Sequence, residues 1–234
     1  MIEHLEWDSN FFGFKVGKII IGPNQTIYKV QPSDYRLIYC FIERQNRIAN
    51  ANAVESLFKL VDTKVVFIKN LELLKTSIKS EIHIASYTNK FLPYKDKIIS
   101  IGIQSGNYSR FKRDSGFPKG TFEKLYTVWM EKSLSHEIAD EVFLVYNSSL
   151  EIFGVATIVA KKDYAEIGII AVDEHARGAG LGKLLLQKIE AYCIAMNINK
   201  IKVATQLDNK EACFFYKANG YEVESEVNIY HHWI

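Results

Sequence analysis

The run EIGIIAVDEHARGAGLGKLLLQKIEAYCIAM, Glu166 to Met196, decides how the chain is read. Ile167 to Val172 is a short apolar stretch of the length expected of a buried strand. Asp173 to Gly182 is polar and rich in glycine, the composition of a turn. Leu181, Leu184, Leu185, Ile189, Tyr192, Cys193 and Met196 then recur at steps of three and four, which predicts a helix with one apolar stripe. The order is strand, glycine-rich turn, helix. A helix start leaves its first amides unpaired and carries partial positive charge, so it can seat a phosphate. Gly178, Gly180 and Gly182 remove the side chains that would hold a pyrophosphate away from those amides. Two general phosphate-binding patterns do not fit. A P-loop needs G-x-x-x-x-G-K-[ST], but Arg177 stands at the first glycine and Leu184 at the Ser/Thr. A dinucleotide fingerprint, G-x-G-x-x-G, begins at Gly178 and Gly180 but meets Lys183 at its third glycine. A glycine turn that binds nothing is the plain alternative, although three glycines opening an apolar helix weaken it for no evident return.

The chain has 234 residues, enough for one large domain or two small ones. Its 48% apolar content and near-zero mean hydropathy describe an ordinary globular protein. A net charge of +2, without a run of like charge, gives no footprint for nucleic acid. No stretch approaches a membrane span, and MIEHLEWDSN lacks a signal-peptide core, so no membrane partner is expected. Cys40, Cys193 and Cys213 are odd in number and lack metal-ligand spacing, which predicts reduced thiols, a cytoplasmic location and no metal.

Residues 1–80 show a small pattern of their own. Leu5 to Phe14 is an aromatic cluster in a turn-like context, and Lys15 to Ile21 a short strand ended by Gly22-Pro23. Arg36 to Ile42 is a second strand, Arg44 to Leu60 a helix and Thr63 to Lys69 a third strand. Asn70 to Ser80 is a polar connection. From Glu81 the expected elements are a strand (Ile82 to Ser86), a helix (Lys97 to Gln104) and a loop from Gly106 to Gly120. A helix comes next, with Thr121 as its N-cap and Phe122, Leu125, Tyr126, Trp129 and Met130 on its apolar face. Glu141–Tyr146, Ile152–Lys162 and Tyr164–Val172 form a meander leading into the central helix. Lys200–Gln206 is a strand, Lys210–Ala218 a helix closed by Asn219-Gly220, and Tyr221–Trp233 a long strand or hairpin end.

Arg177-Gly178-Ala179-Gly180-Leu181-Gly182 fits a third pattern without gaps. It resembles the R/Q-x-x-G-x-G/A loop with which GCN5-related N-acetyltransferases (GNAT) hold the pyrophosphate of coenzyme A. The element order over 81–234 is similar to that superfamily throughout. So are Val203 to Gln206, Asn209, Ala212, Tyr216 and Gly220-Tyr221, which match its later motif. The resemblance implies an α/β GNAT fold, a mixed central sheet with flanking helices, over 81–234. A smaller N-terminal α/β half-domain, 1–80, would form part of the acceptor pocket. It implies acetyl-CoA or another short acyl-CoA as cosubstrate, bound by Ile170, Ala171, Val172, Arg177, Gly178, Ala179, Gly180, Leu181, Gly182, Lys183 and Asn209.

The opening Leu5-Glu6-Trp7-Asp8-Ser9-Asn10-Phe11-Phe12-Gly13 is similar to that of the dTDP-fucosamine acetyltransferase family, as are Leu60 to Thr63, Ser109-Arg110-Phe111, the Trp129 helix and VATQLDN. That likeness implies N-acylation of a dTDP-linked amino-dideoxy sugar for surface-polysaccharide assembly. A peptide or protein N-acetyltransferase, and a non-catalytic acyl-CoA sensor, are the rival expectations. An amine attacking a thioester needs an amide donor for the carbonyl oxygen, a proton donor for sulfur and an acceptor for the amine proton. By resemblance these are the N–H of Val172, the Tyr216 hydroxyl as general acid, and Asp62 as base. Glu166 occupies the position that other superfamily members use, but a solvent-facing strand residue is its simpler role. Arg110 is expected to meet a diphosphate, with Phe111, Trp7 and Phe11 as an aromatic wall; core packing is the competing role for these rings. His175 reads as a loop residue and His231-His232 as a strand end. The resemblance allows a homodimer, because relatives with a long terminal strand often pair.

Overall fold

The computed structural model describes residues 2–22, 25, 34–71 and 82–234. Ten strands among them share one mixed sheet: β1 (Glu3–His4), β2 (Val16–Ile21), β3 (Leu37–Glu43), β4 (Lys59–Asn70), β5 (His83–Ser86), β6 (Glu141–Tyr146), β7 (Ile152–Ala160), β8 (Ala165–Val172), β9 (Lys200–Gln206) and β10 (Glu222–Trp233). Their order across the sheet is β1-β2-β3-β10-β4-β9-β8-β7-β6-β5. The pairs β2/β3 and β8/β9 are parallel and the remaining neighbours antiparallel. The C-terminal strand β10 thus lies between two N-terminal strands, and β4 joins it to β9.

Seven α-helices among the described residues flank the sheet: α1 (Glu6–Phe12), α2 (Arg47–Glu55), α3 (Lys95–Gln104), α4 (Arg110–Arg113), α5 (Thr121–Leu134), α6 (Leu181–Ala195) and α7 (Lys210–Ala218). Strand alternation divides the core between the two faces. Phe143 and Val145 of β6 pack in one cluster with Leu185, Leu186, Ile189 and Cys193 of α6. Val142 and Leu144 of the same strand pack with Ile98 and Ile101 of α3 and Met130 of α5. No helix of the described residues is long and apolar enough to cross a membrane.

Several expected boundaries move. The helix placed over Arg44–Leu60 runs only from Arg47 to Glu55, because Leu57 takes a left-handed φ of 65° and turns the chain directly into β4. Strand β4 is twelve residues long, not the seven expected, since its first part pairs with β10 and its second with both β10 and β9. The aromatic turn at Leu5–Phe14 is the short helix α1, stopped by Gly13 at a φ of 77°. The loop from Gly106 to Gly120 contains α4, capped by Ser109. Gly120, with a φ of 85° and no side chain, stands at the N-cap expected of Thr121; Thr121 is the first helical residue. The polar connection expected to Ser80 lies outside the described residues from 72 onward.

Candidate active site

Strands β8 and β9 pair only at Ala165/Ile201, Glu166/Lys202 and Ile167/Val203, and then part. The cause sits on the other side of β8. Its register with β7 slips between Ala156 and Ile158, and there the Thr157 hydroxyl accepts the Ile169 N–H at 2.9 Å. A β-bulge of this kind bends its strand and increases its twist. Gly168 makes room for it, since a Cβ there would lie 2.9 Å from Thr157 Oγ1. Beyond the bulge Ile170, Ala171 and Val172 still pair with β7, but their edge toward β9 is open.

A cavity of about 640 Å³ fills this opening. One wall is the end of β8 and the other the end of β9, Val203 to Gln206. Arg177, Gly178, Gly180, Leu181, Gly182 and Lys183 line its cofactor side. Gly178 and Gly180 have φ values of 82° and 77°, which side chains rarely adopt. Gly182 is favoured for a different reason: a Cβ would stand 3.2 Å from the Phe215 ring, a tight contact between α7 and the start of α6. Gly180 is the N-cap of α6, and the Leu184 N–H is bonded to its carbonyl. The amides of Leu181, Gly182 and Lys183 precede that bond and have no intrahelical acceptor.

The loop before α6 is anchored from α3. The Lys97 ammonium contacts Asp173, whose carboxyl it holds below the usual carboxylate range, and Asp173 caps the turn through the His175 N–H. Gln104 accepts from the Glu174 N–H at 3.1 Å and from the Arg177 guanidinium at 3.2 Å. Arg177 also donates through Nε to the Val172 carbonyl.

Asn209 lines the cavity and caps α7, accepting from the Ala212 N–H at 3.1 Å. Tyr216 lines it too, although only 4% exposed. Its ring packs against Phe67, Phe215 and Tyr221, and burial raises its hydroxyl above the ordinary tyrosine value, so it keeps its proton. Tyr216 is thus a core ring and a cavity residue at once.

The other expected site residues are placed differently. Asp62, on β4, is buried just off the cavity and does not line it. Burial pushes its carboxyl up to about 6 against the opposing pull of Arg110 and of the Thr63 amide. Its charge is felt at Tyr126, which does line the cavity and whose hydroxyl bonds Ser109. Arg110 is also off the cavity, its guanidinium 4.3 Å from the Phe111 ring centroid and 5.1 Å from that of Tyr39. Phe111 is core, packed against Phe12, Phe117 and Trp129. Trp7 and Phe11 stack on each other on α1 at 5.2 Å and likewise do not line the cavity. Glu166 is outside it and His175 is exposed beside Glu174.

His231 is not a simple strand end. It is 1% exposed, with Nδ1 2.6 Å from Asp114 Oδ2, and the Trp233 indole donates to the same oxygen at 2.8 Å. Burial pushes the imidazole down to about 4. Burial acts to raise Asp114, but hydrogen bonds from His231, Trp233 and the Gly116 amide outweigh it and hold the carboxyl far below its ordinary range. Asp114 therefore accepts the Nδ1 proton and the ring is neutral. Among the described residues no group of three or more His, Cys, Asp or Glu is placed to hold a metal. Gln104, Tyr108 and Tyr126 line the cavity although no sequence motif marks them as site residues, and Thr205 and Gln206 line it from the motif segment Val203 to Gln206.

Comparison with known proteins agrees with this geometry. Residues 111–221 match the acetyltransferase (GNAT) family. An uncharacterized protein of Bacillus subtilis, YxbD, is 36% identical over 78 residues, 33% of this chain and 48% of that protein. A second one, YdhI, is 34% identical over 80 residues, 34% of this chain and 49% of its own length. The chain thus spans about half the length of these curated relatives. Among solved structures, a GCN5-related N-acetyltransferase from Sphaerobacter thermophilus superposes with a TM-score of 0.63 at 14% identity, over 84% of this chain and 59% of that one. A tandem GNAT protein from the clavulanic acid biosynthesis pathway gives 0.58 at 11% identity, over 86% and 65%. The chain carries the GNAT fold, and its residues 111–221 match the model of the acetyltransferase (GNAT) family.

Proposed function

We propose that the protein is an acyl-CoA-dependent N-acyltransferase, and that its acceptor is the amine of a dTDP-linked amino-dideoxy sugar destined for surface polysaccharide. The observation that carries the first part is the open edge of β8 beside a helix start stripped of side chains. The residues present fit coenzyme A: the edge of β8, open toward β9 apart from the Val172 carbonyl that Arg177 holds, for the pantetheine amides, and the uncovered amides of Leu181 to Lys183 with the Arg177 cation for the pyrophosphate. Bound acyl-CoA supplies an activated thioester with a thiolate leaving group. Asn209 orients the pantetheine arm and the Val172 N–H polarises the carbonyl. Tyr216 holds a proton at its hydroxyl, ready for the sulfur, because burial opposes its ionisation.

Asp62 serves as the proton acceptor in this proposal, through Tyr126 or a water, because it does not itself line the cavity. A carboxyl raised to about 6 is a better base than an exposed one and is still ionised at neutral pH. Arg110 then acts on Asp62, opposing its protonation, and the Phe111, Trp7 and Phe11 rings act as scaffold behind the acceptor. The sugar-nucleotide acceptor rests on the likeness of the outer segments. Mass spectrometry of products from a panel of dTDP-amino sugars and peptides with acetyl-CoA tests it. An acylated sugar nucleotide is the expected product; peptide acylation alone would replace the acceptor, and saturable CoA binding with no amine turned over would replace the enzyme with a sensor.

A further inference from the structure

The charged side chains lining the cavity are Arg177, Lys183 and Glu211, and all lie on the glycine loop, the start of α6 or the start of α7. The opposite end, formed by Asn107, Tyr108, Tyr126, Trp129 and Gln206, carries no formal charge. An acceptor bearing an anion therefore meets no cation inside this end of the cavity. Three cations stand on α4, Arg110, Lys112 and Arg113; none lines the cavity, and two are held by neighbours on their own side of it. Arg110 is packed between the Tyr39 and Phe111 rings, and Lys112 is held at 2.5 Å by Asn107 and lies over Phe122.

Arg113 is placed differently. Its guanidinium sits 5.2 Å from the ring centroid of Tyr108, a cavity-lining side chain, and its Nη1 is 2.6 Å from Asp208 Oδ2. Asp208 lies between Gln206 and Asn209, which line the facing wall. The pair therefore spans the rim, from the segment that carries Tyr108 to the turn that carries Asn209. Both partners are solvent-exposed, and their charges are felt at Asp62. An exposed ion pair made through one nitrogen contributes little to stability, whereas a guanidinium can grip a phosphate with two parallel hydrogen bonds.

We infer that the Arg113–Asp208 pair is an exchangeable clasp at the acceptor entrance, in which an anionic group on the acceptor displaces Asp208 from Arg113. The inference deepens the sugar-nucleotide proposal and rests on it for the identity of the anion as a diphosphate; a carboxylate on the amine substrate is the other source of the same chemistry. The clasp makes Arg113 a specificity residue and Asp208 its built-in competitor. The two substitutions are therefore expected to act in opposite directions, which a merely structural ion pair would not produce.

The test is calorimetric titration of dTDP into the CoA-saturated protein, unaltered and as Arg113→Gln and Asp208→Asn, with thermal melting as the check on folding. Arg113→Gln is expected to weaken dTDP at least tenfold and Asp208→Asn to tighten it, with CoA affinity unchanged in both. Steady-state kinetics should then show a raised KM in Arg113→Gln for the dTDP-linked amine but not for the methyl glycoside of the same amino sugar. Equal weakening by the two substitutions, or dTDP binding indifferent to Arg113, would overturn the clasp. Should dTDP fail to bind, amines bearing a carboxylate take its place in the kinetic arm. Opposite shifts in their KM would keep the clasp and overturn the sugar-nucleotide acceptor; indifference there would overturn both.

Discussion

Single side chains set the proposed chemistry, and two of them can be tested directly. Tyr216→Phe removes a hydroxyl and little packing, because the ring stays among Phe67, Phe215 and Tyr221. A general acid contributes about 10²–10⁴-fold, so kcat is expected to fall at least about 100-fold while the affinity for acetyl-CoA, measured by titration, holds. A Tyr216→Phe protein with full kcat would remove that role. Asp62 couples activity to stability. Its carboxyl is raised to about 6, above the value near 4 of an unfolded chain, so the folded state binds the proton more tightly. Stability therefore falls as pH rises from about 4 to about 6, by about 3 kcal/mol, and levels off above. Asp62→Asn should be more stable than the parent in urea at pH 7.5 and lose the ascending limb of kcat/KM near pH 6.

His231 titrates in the opposite sense. Its imidazole, lowered to about 4 by burial, must be neutral in the fold and charges more easily in the unfolded chain. Its contribution is complete above about pH 6.5 and is lost as pH falls toward 4. His231→Ala also strips Asp114 of one donor while leaving it buried, a change expected to cost about 1.5–3 kcal/mol by urea unfolding at pH 7.5. No local pattern announces this pair, since His231 and Asp114 stand 117 positions apart.

At the scale of elements, the site depends on β8 leaving β9 at one place. Thr157 satisfies the Ile169 N–H that the bulge would otherwise strand, and Gly168 leaves space for the hydroxyl. Thr157→Val keeps the shape and removes the acceptor. It should destabilise the fold by about 1–3 kcal/mol, the cost of a buried unpaired amide, and weaken acetyl-CoA binding in titration because the open edge loses its fixed course. The bulge was not legible in the sequence. Residues 165–172 read as an uninterrupted strand, and a slip in register depends on the partner strand. The glycine loop and α6 were legible, because positive φ at Gly178 and Gly180 and the apolar step of the helix are properties of a few neighbouring residues.

At the scale of the whole molecule, β10 and β4 tie the N-terminal half to the C-terminal one. Strand β10 is flanked by β3 and β4, and β4 by β10 and β9, so among the described residues no sheet edge separates the N-terminal strands from those after residue 82. A fragment of residues 81–234 would leave one side of β9 and both sides of β10 without partners. Exposed edges of that kind promote aggregation. Expression of the fragment should yield insoluble protein, and the whole chain should unfold in a single urea transition by both circular dichroism and tyrosine fluorescence. A soluble, CoA-binding fragment would show instead that the C-terminal part folds alone, as a division at residue 80 expects.

By itself the sequence determined the strand, glycine loop and helix at 166–196 and the α7 motif around Asn209 and Tyr216, because each depends on neighbours within one or two turns of chain. Only the tertiary structure decided where β8 parts from β9, that Asp62 and Arg110 lie behind the cavity and not on its wall, and that β10 runs between β3 and β4. These outcomes turn on which distant segments come into register. Register is set by packing across the whole sheet, which no local pattern contains.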